Sequence, residues 1–291
     1  MEAGAPRPTG GDDQRSGHAP ARSGGVRAAE APWGSGAATV RPVGLRWWRE
    51  GIYIVAFYVV YTAVRDTQGS AGNGFTSKGS TTAFHHARAV IHIERALWLF
   101  HEHRLQDTFR GWTDFYRLWD VFYGTAHFVV TAAAIVWMFR RTPGRYPFWR
   151  NVLAITTALA LVGFAVYPLM PPRLLDAAGG HYGFVDTLQR YGGSWSFDSG
   201  AMQKISNQYA AMPSLHFAWS SWCACVFLPA CRRPGTKALV IAYPLATLFA
   251  ILVTANHYLL DAAGGLVALG AAMALARPLT TWMQRRHPAA L

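Results

Sequence analysis

The sequence predicts an all-α fold: a polytopic membrane bundle of six helices, with an interfacial helix between spans one and two and a disordered N-terminal tail. Three observations lead there. Hydrophobic residues make up 52% of the 291 residues and charged residues only 14%, well below the roughly 25% charged content of an ordinary soluble chain. The apolar residues fall into runs close to the length of about 20 that a helix needs to cross about 30 Å of hydrocarbon. Basic residues collect in the links between alternate runs. The 27 Lys and Arg against 15 Asp and Glu give a net charge of +12. In so apolar a chain this excess marks loops on one side of a membrane, not a nucleic-acid footprint. No nucleic-acid partner is expected.

Residues 1–45 alternate Gly, Ala, Pro, Ser and Arg without an apolar run, a composition that cannot bury enough surface to offset the cost of ordering. They are expected to form a disordered basic tail ahead of a membrane domain over 46–280, with a short cytoplasmic tail over 281–291. No signal peptide is expected, because the first long apolar segment starts near Trp47 and nothing resembling a cleavage site follows it. That segment, 47–64, is the weakest candidate span, and Trp47 and Trp48 suit an interfacial belt. Residues 121–139 are interrupted only by His127, 152–170 by no ionisable group, 214–230 by His216 and 258–276 by Asp261, while 238–254 are uncharged.

Between spans one and two, residues 88–109 place apolar Val90, Ile93, Leu97 and Phe100 at helical spacing, with Glu94, Arg95, Glu102 and Arg104 elsewhere on the wheel. Such a helix is expected to lie in the interface on the outer side. The neighbouring His85, His86, His92, His101 and His103 lack the His-Glu-x-x-His spacing that puts two ligands on one helical face. They read as solvated side chains, with a metal site near His101 and His103 as a weaker idea. Cys223, Cys225 and Cys231 share one apolar stretch and read as small buried hydrophobes rather than a disulfide framework.

Arg140, Arg141, Arg145 and Arg150 crowd the link between spans two and three; Arg232, Arg233 and Lys237 fill that between four and five; Arg277, Arg285 and Arg286 follow span six. The segment 171–213 instead balances Arg173, Arg190 and Lys204 against Asp176, Asp186 and Asp198. The positive-inside rule therefore puts both termini in the cytoplasm and this segment outside.

Polar groups recur at that outer level. Span three ends in Pro171-Pro172-Arg173, span four begins Pro213-Ser214-Leu215-His216, and span six begins Asn256-His257-Tyr258-Leu259-Leu260-Asp261. Ionisable groups in a bilayer cost roughly 3 kcal/mol or more and usually face the bundle interior or a wet cavity. His257 and Asp261 are four apart, so on a helix the carboxylate holds the imidazole in one tautomer. Pro213 fits a first helical position and Asn256 an N-cap, which would put both His residues in the first turn of a helix. There, free amides and the positive dipole end favour a phosphate, and the guanidinium of Arg173 suits the same anion. One imidazole attacking phosphorus while the other protonates the leaving oxygen describes phosphoryl transfer with no obvious metal and no cofactor. Tyr123 and His127 share one face of span two, with either a supporting or acceptor-site role or a packing hydrogen bond open to them. Ala262-Ala263-Gly264-Gly265 reads as packing that lets helices approach closely.

Pro213-Ser214-Leu215-His216 together with His257-Tyr258-Leu259-Leu260-Asp261 resembles the type 2 phosphatidic acid phosphatase superfamily, most of all its inositol phosphotransferase branch, the inositol phosphorylceramide synthases and their bacterial relatives. The similarity spans about residues 85–275, including Glu94, Glu102, Tyr123, His127 and Pro172-Arg173. It implies a six-helix bundle with its site at the outer membrane face. His257 would be the nucleophile that forms a phosphohistidine, Asp261 its orienter, His216 the acid and then the base, and Ser214 and Arg173 the phosphate ligands. The common phosphatase pattern has Gly where this chain has Leu215, Arg where it has Ile251 and Lys where it has Val166. Lys204 is a candidate to supply the lost charge, with a solvated loop lysine as the other reading, and Arg150 is expected at the cytoplasmic end and outside the site. The implied function is a membrane lipid phosphatase or phosphotransferase that passes a phosphate-bearing head group from a lipid donor to an alcohol or water; the alternative is a non-catalytic transporter or scaffold of lipid phosphates.

Overall fold

The computed structural model describes residues 78–191 and 209–286, together with Trp48, Glu50, Gly51, Ile52, Val55 and Val59, which are helical. The expected disordered tail, most of the first candidate span, Lys204 and the last five residues lie outside the described residues. What is described is all-helical apart from one isolated bridge between Leu169 and Ala210. In chain order the helices are α1 Lys78–Ala96, α2 Glu102–Thr108, α3 Thr113–Arg141, α4 Tyr146–Val166, α5 Thr187–Arg190, α6 Leu215–Phe227, α7 Pro234–Val253 and α8 Leu259–Arg286.

Among the described residues, α3, α4, α7 and α8 are long and apolar enough to cross a membrane, and α6 with the 3-10 turn Leu228–Ala230 makes a shorter apolar helix. Their composition explains their packing. In α3 the buried positions Tyr116, Asp120, Gly124, His127, Thr131, Ala134 and Met138 recur every three or four residues, as a single inward stripe requires, while Leu118, Val121, Phe128, Val129 and Val136 are exposed. Exposed aliphatic rows of this kind suit lipid, where no water is present to penalise them.

Helix α4 runs antiparallel to both α6 and α8. Near the start of α4, Asn151 Nδ2 donates to Thr280 Oγ1 near the end of α8 at 3.0 Å, and Trp222 Nε1 of α6 donates to the Trp149 carbonyl of α4 at 3.0 Å. Trp149, Val152, Trp222, Leu269, Ala272 and Ala276 fill the core between these helices. At the other end of α4 the Arg173 amide donates to the Ala255 carbonyl at 2.9 Å. The turns after α4 and α7 and the starts of α6 and α8 therefore meet at one end of the bundle.

Four sequence-based expectations need correction. The single helix over 88–109 is two helices, and its wheel is turned: Glu94 and Glu102 are 0% and 3% exposed while Ile93 and Leu97 are 47% and 56% exposed. The carboxylates face inward because each accepts a main-chain amide of α8, a partner far away in sequence. His257 does not lie in a helical first turn, since α8 starts at Leu259, and Asn256 is not its N-cap but turns its Nδ2 back to Thr254 Oγ1 at 2.8 Å. Pro213 precedes the N-cap Ser214, so α6 opens at Leu215. The histidines beside α1 are not uniformly solvated either: His86 stacks on Tyr167 with ring centres 4.0 Å apart and its Nδ1 meets the Pro168 carbonyl at 2.7 Å.

Candidate active site

The loop that carries His257 is built by the end of α7. Thr254 Oγ1 donates to the Ala250 carbonyl at 2.6 Å, and Ala255 takes a left-handed conformation with φ 54°, the usual way to stop a helix although glycine normally occupies that position. The amides of Asn256 and His257 then both return to the Ile251 carbonyl, at 3.0 and 3.1 Å. The Arg173 amide on the Ala255 carbonyl holds the strained residue in place.

His257 is buried and its two nitrogens differ. Nδ1 lies 2.9 Å from the Ala211 carbonyl and 3.3 Å from Asp261 Oδ2. A carbonyl oxygen only accepts, so Nδ1 carries the proton and Nε2 carries the lone pair. Nε2 is buried with no partner. Asp261 is locked in turn: its Oδ2 accepts the Tyr258 amide at 2.9 Å and its carbonyl accepts the Ser214 amide at 2.9 Å, which ties the start of α8 to the start of α6.

Ser214 caps α6, its Oγ accepting the Phe217 amide at 3.4 Å. In the first turn of α6, the His216 ring centre stands 5.5 Å from that of His257, near enough for both rings to touch one phosphoryl group. Tyr123 stacks on His216 at 4.2 Å and lies 6.3 Å from His257, and His127 meets His216 edge-on at 4.2 Å. His127 Nδ1 meets the Tyr123 carbonyl at 3.0 Å. Three imidazoles and a phenol from α3, α6 and the α7–α8 turn thus converge.

Arg173, in the 3-10 turn Pro172–Leu174, is buried beside the same turn. Its Nη1 donates to Asp186 Oδ2 at 2.6 Å, whereas Nε is buried with no partner. Asp186 Oδ1 caps α5 through the Gln189 amide, and Thr187 Oγ1 donates to Asp120 Oδ1 at 2.9 Å, leaving Asp120 Oδ2 unpartnered. Sequence alone does not single out Asp120, because the apolar run opens one residue later, at Val121. Its position three before Tyr123 and seven before His127, on one face, was the available signal.

The sequence reading also gave Glu94 and Glu102 no chemical role. Burial, then the neighbouring Glu102 charge, pushes the Glu94 carboxyl up to about 8, and burial raises Glu102 as well. Other positions bring no charge to the site. Arg150 pairs with Glu50 at 2.6 Å at the far end of α4. Ile251 is packed among Phe217, Ala262 and Tyr123, and Val166 is 75% exposed. Among the described residues no group of three or more His, Cys, Asp or Glu is arranged to hold a metal. A family model described as the PAP2 superfamily matches residues 88–275. No curated protein and no solved structure matches the chain.

Proposed function

The chain belongs to the PAP2 superfamily, and on that premise we propose that it is an integral membrane phosphotransferase or phosphatase acting on lipid phosphates through a phosphohistidine on His257. Membership suggests phosphatase or phosphotransferase activity in general. The observation that carries the finer reading is the unequal pair of nitrogens on His257, one fixed by Ala211 and Asp261 and the other buried with a free lone pair. A nucleophile needs that arrangement.

In the proposed reaction His257 Nε2 attacks phosphorus and the bond from phosphorus to the leaving oxygen breaks. Protonated His216 gives its proton to that oxygen. Neutral His216 then takes a proton from the acceptor hydroxyl, whose oxygen attacks the phosphohistidine and breaks the P–N bond, so protons and charge balance over the cycle. The unpartnered Nε of Arg173 supplies a donor to the phosphate while Asp186 holds the rest of the guanidinium. Ser214 sits at the α6 N-terminus, where amides favour an anion. Tyr123 and His127 support His216 through ring contacts. Lys204 is a further candidate for phosphate charge.

The acceptor in this reading is an alcohol, giving transfer of a phospho head group in the manner of an inositol phosphotransferase, which the Leu215-containing motif resembles. The site faces the extracytoplasmic side of the cell membrane, with both termini cytoplasmic. The test is incubation of purified protein with labelled lipid phosphates, with and without polyol acceptors, reading products by mass. Transfer to the polyol supports a transferase and release of free phosphate a phosphatase. Binding without turnover would replace both with a transporter or scaffold. In the active case the His257→Gln variant yields no product and no acid-labile phosphoprotein.

A further inference from the structure

Phosphoryl transfer as proposed leaves two buried carboxyl groups unused. Glu94 near the end of α1 and Glu102 at the start of α2 each give one oxygen to the first turn of α8. The Leu260 amide donates to Glu94 Oε1 at 2.8 Å and the Leu259 amide to Glu102 Oε1 at 3.1 Å. Asp261 Oδ2 takes the amide just before them, that of Tyr258. Three carboxyl groups therefore cap three successive amides directly after His257. A helix start has free amides and a positive dipole end, so one negative charge there is stabilising. Three ionised carboxylates packed together out of water are not.

The amides that Glu94 and Glu102 accept are consecutive, so the two carboxyl groups stand close together at one helix start. The second oxygen of each, Oε2, is buried with no partner, and neither has a salt-bridge partner among the described residues. The groups that face the pair from the packed elements are Asp261 and Tyr258 at the start of α8, with Tyr182 from the loop before α5 close behind Tyr258. Arg95, next to Glu94 on α1, lies over the rings of Phe100 and Tyr182 instead.

We propose that Glu94 and Glu102 share one proton and together clamp the first turn of α8, acting as positioning residues that hold His257 and Asp261 in place only while that proton is kept. The inference rests on the reading of His257 and Asp261 as nucleophile and support. Its pH sign follows from linkage. The folded pair keeps a proton that an unfolded glutamate loses near its ordinary value of 4.5, and Glu94 is raised to about 8. The resulting stability is fully present below about 4.5 and is lost as pH rises through about 8. Beyond that both groups ionise, repel and release the amides.

The experiment uses the full chain purified in detergent, with thermal unfolding and lipid-phosphate turnover both followed from about pH 5 to 9. The variants are Glu94→Gln, Glu102→Gln and Glu94→Ala. A glutamine keeps an acceptor for the α8 amide and a fixed N–H donor toward the other carboxylate. Glu94→Gln is expected to retain most turnover at neutral pH, to unfold at a midpoint that depends less on pH than the wild type's, and to lose the wild-type fall in rate above about pH 8. Glu94→Ala is expected to lose about tenfold or more in kcat with little change in KM, as for a displaced nucleophile.

Equal pH dependence of unfolding in wild type and both glutamine variants would overturn the shared proton. So would glutamine variants that fold but do not turn over, or that both fail to fold. Should the wild type turn over no phosphate ester, the catalytic reading fails separately, and the unfolding comparison alone decides whether the proton is shared.

Discussion

His257 and His216 divide one reaction between a lone pair and a proton in the proposed mechanism, and their roles come apart when the leaving group changes. Expelling a lipid alkoxide needs a proton, so His216→Ala is expected to slow transfer from a lipid phosphate by about 10²–10⁴-fold. An aryl phosphate with a nitrophenol leaving group needs no proton, so the burst of nitrophenol in the same variant should fall far less. His257→Gln should remove the burst with either substrate. Equal losses for both substrates in His216→Ala would show that it is not the acid. A similar argument applies to Arg173, whose fork serves Asp186 with Nη1 and leaves Nε for the substrate. Lysine is a point donor and cannot do both, so Arg173→Lys is expected to lower kcat/KM by about tenfold or more for one lost charge-assisted bond. The histidines, Asp261 and Arg173 could be found in the sequence because imidazoles and a guanidinium in apolar runs are costly enough to need a reason. Glu94 and Glu102 could not, since a glutamate looks the same on a helical wheel whether it meets water or an amide more than 150 residues away.

At the scale of elements, the starts of α6 and α8 are set by how closely the two helices approach. A Cβ added to Gly265 would sit 2.5 Å from the Ser214 carbonyl oxygen, and one added to Gly163 of α4 would sit 2.6 Å from Pro213 Cδ. The sequence reading of Gly264 and Gly265 as close-packing residues agrees with this geometry, whereas Gly163 drew no notice because one small residue in an apolar run has no periodic signal. Gly265→Ala must push the backbone before His216 away from α8, and overpacking of this kind costs about 1–3 kcal/mol. Gly270 lies on the same helix with nothing within 4 Å of an added Cβ. Gly270→Ala should leave activity unchanged and raise stability by up to about 1 kcal/mol through helix propensity. Thermal unfolding and turnover of both variants, side by side, separate the loss of contact from any general effect of alanine in α8. The helix boundaries near the site were less legible. A left-handed alanine at 255, held by the Arg173 amide, follows α7 within a residue of its expected end at 254, but the turn it opens carries His257 and delays α8 to Leu259, past the N-cap expected at Asn256.

For the whole molecule, lipid-facing aliphatic rows and an inward polar stripe follow from composition, and the antiparallel order of helices brings the turns after α4 and α7 to one end. The charges then orient that bundle in a bilayer. The links carrying Arg140, Arg141 and Arg145, and Arg232, Arg233 and Lys237, lie at the ends of helices remote from His257. Basic loops stay on the cytoplasmic side, so the proposed site is expected to open to the opposite face and to draw on lipid head groups and soluble alcohols there. Ala177, in the exposed loop after Arg173, and Lys237, in the first turn of α7, report the two ends. In a background with Cys223, Cys225 and Cys231 changed to alanine, Ala177→Cys should react with a membrane-impermeant maleimide on intact cells. Lys237→Cys should react only once the membrane is opened. The reverse pattern would put the histidines in the cytoplasm, where donor and acceptor come from cytosolic pools, and would invert the orientation while leaving the chemistry of His257 untouched.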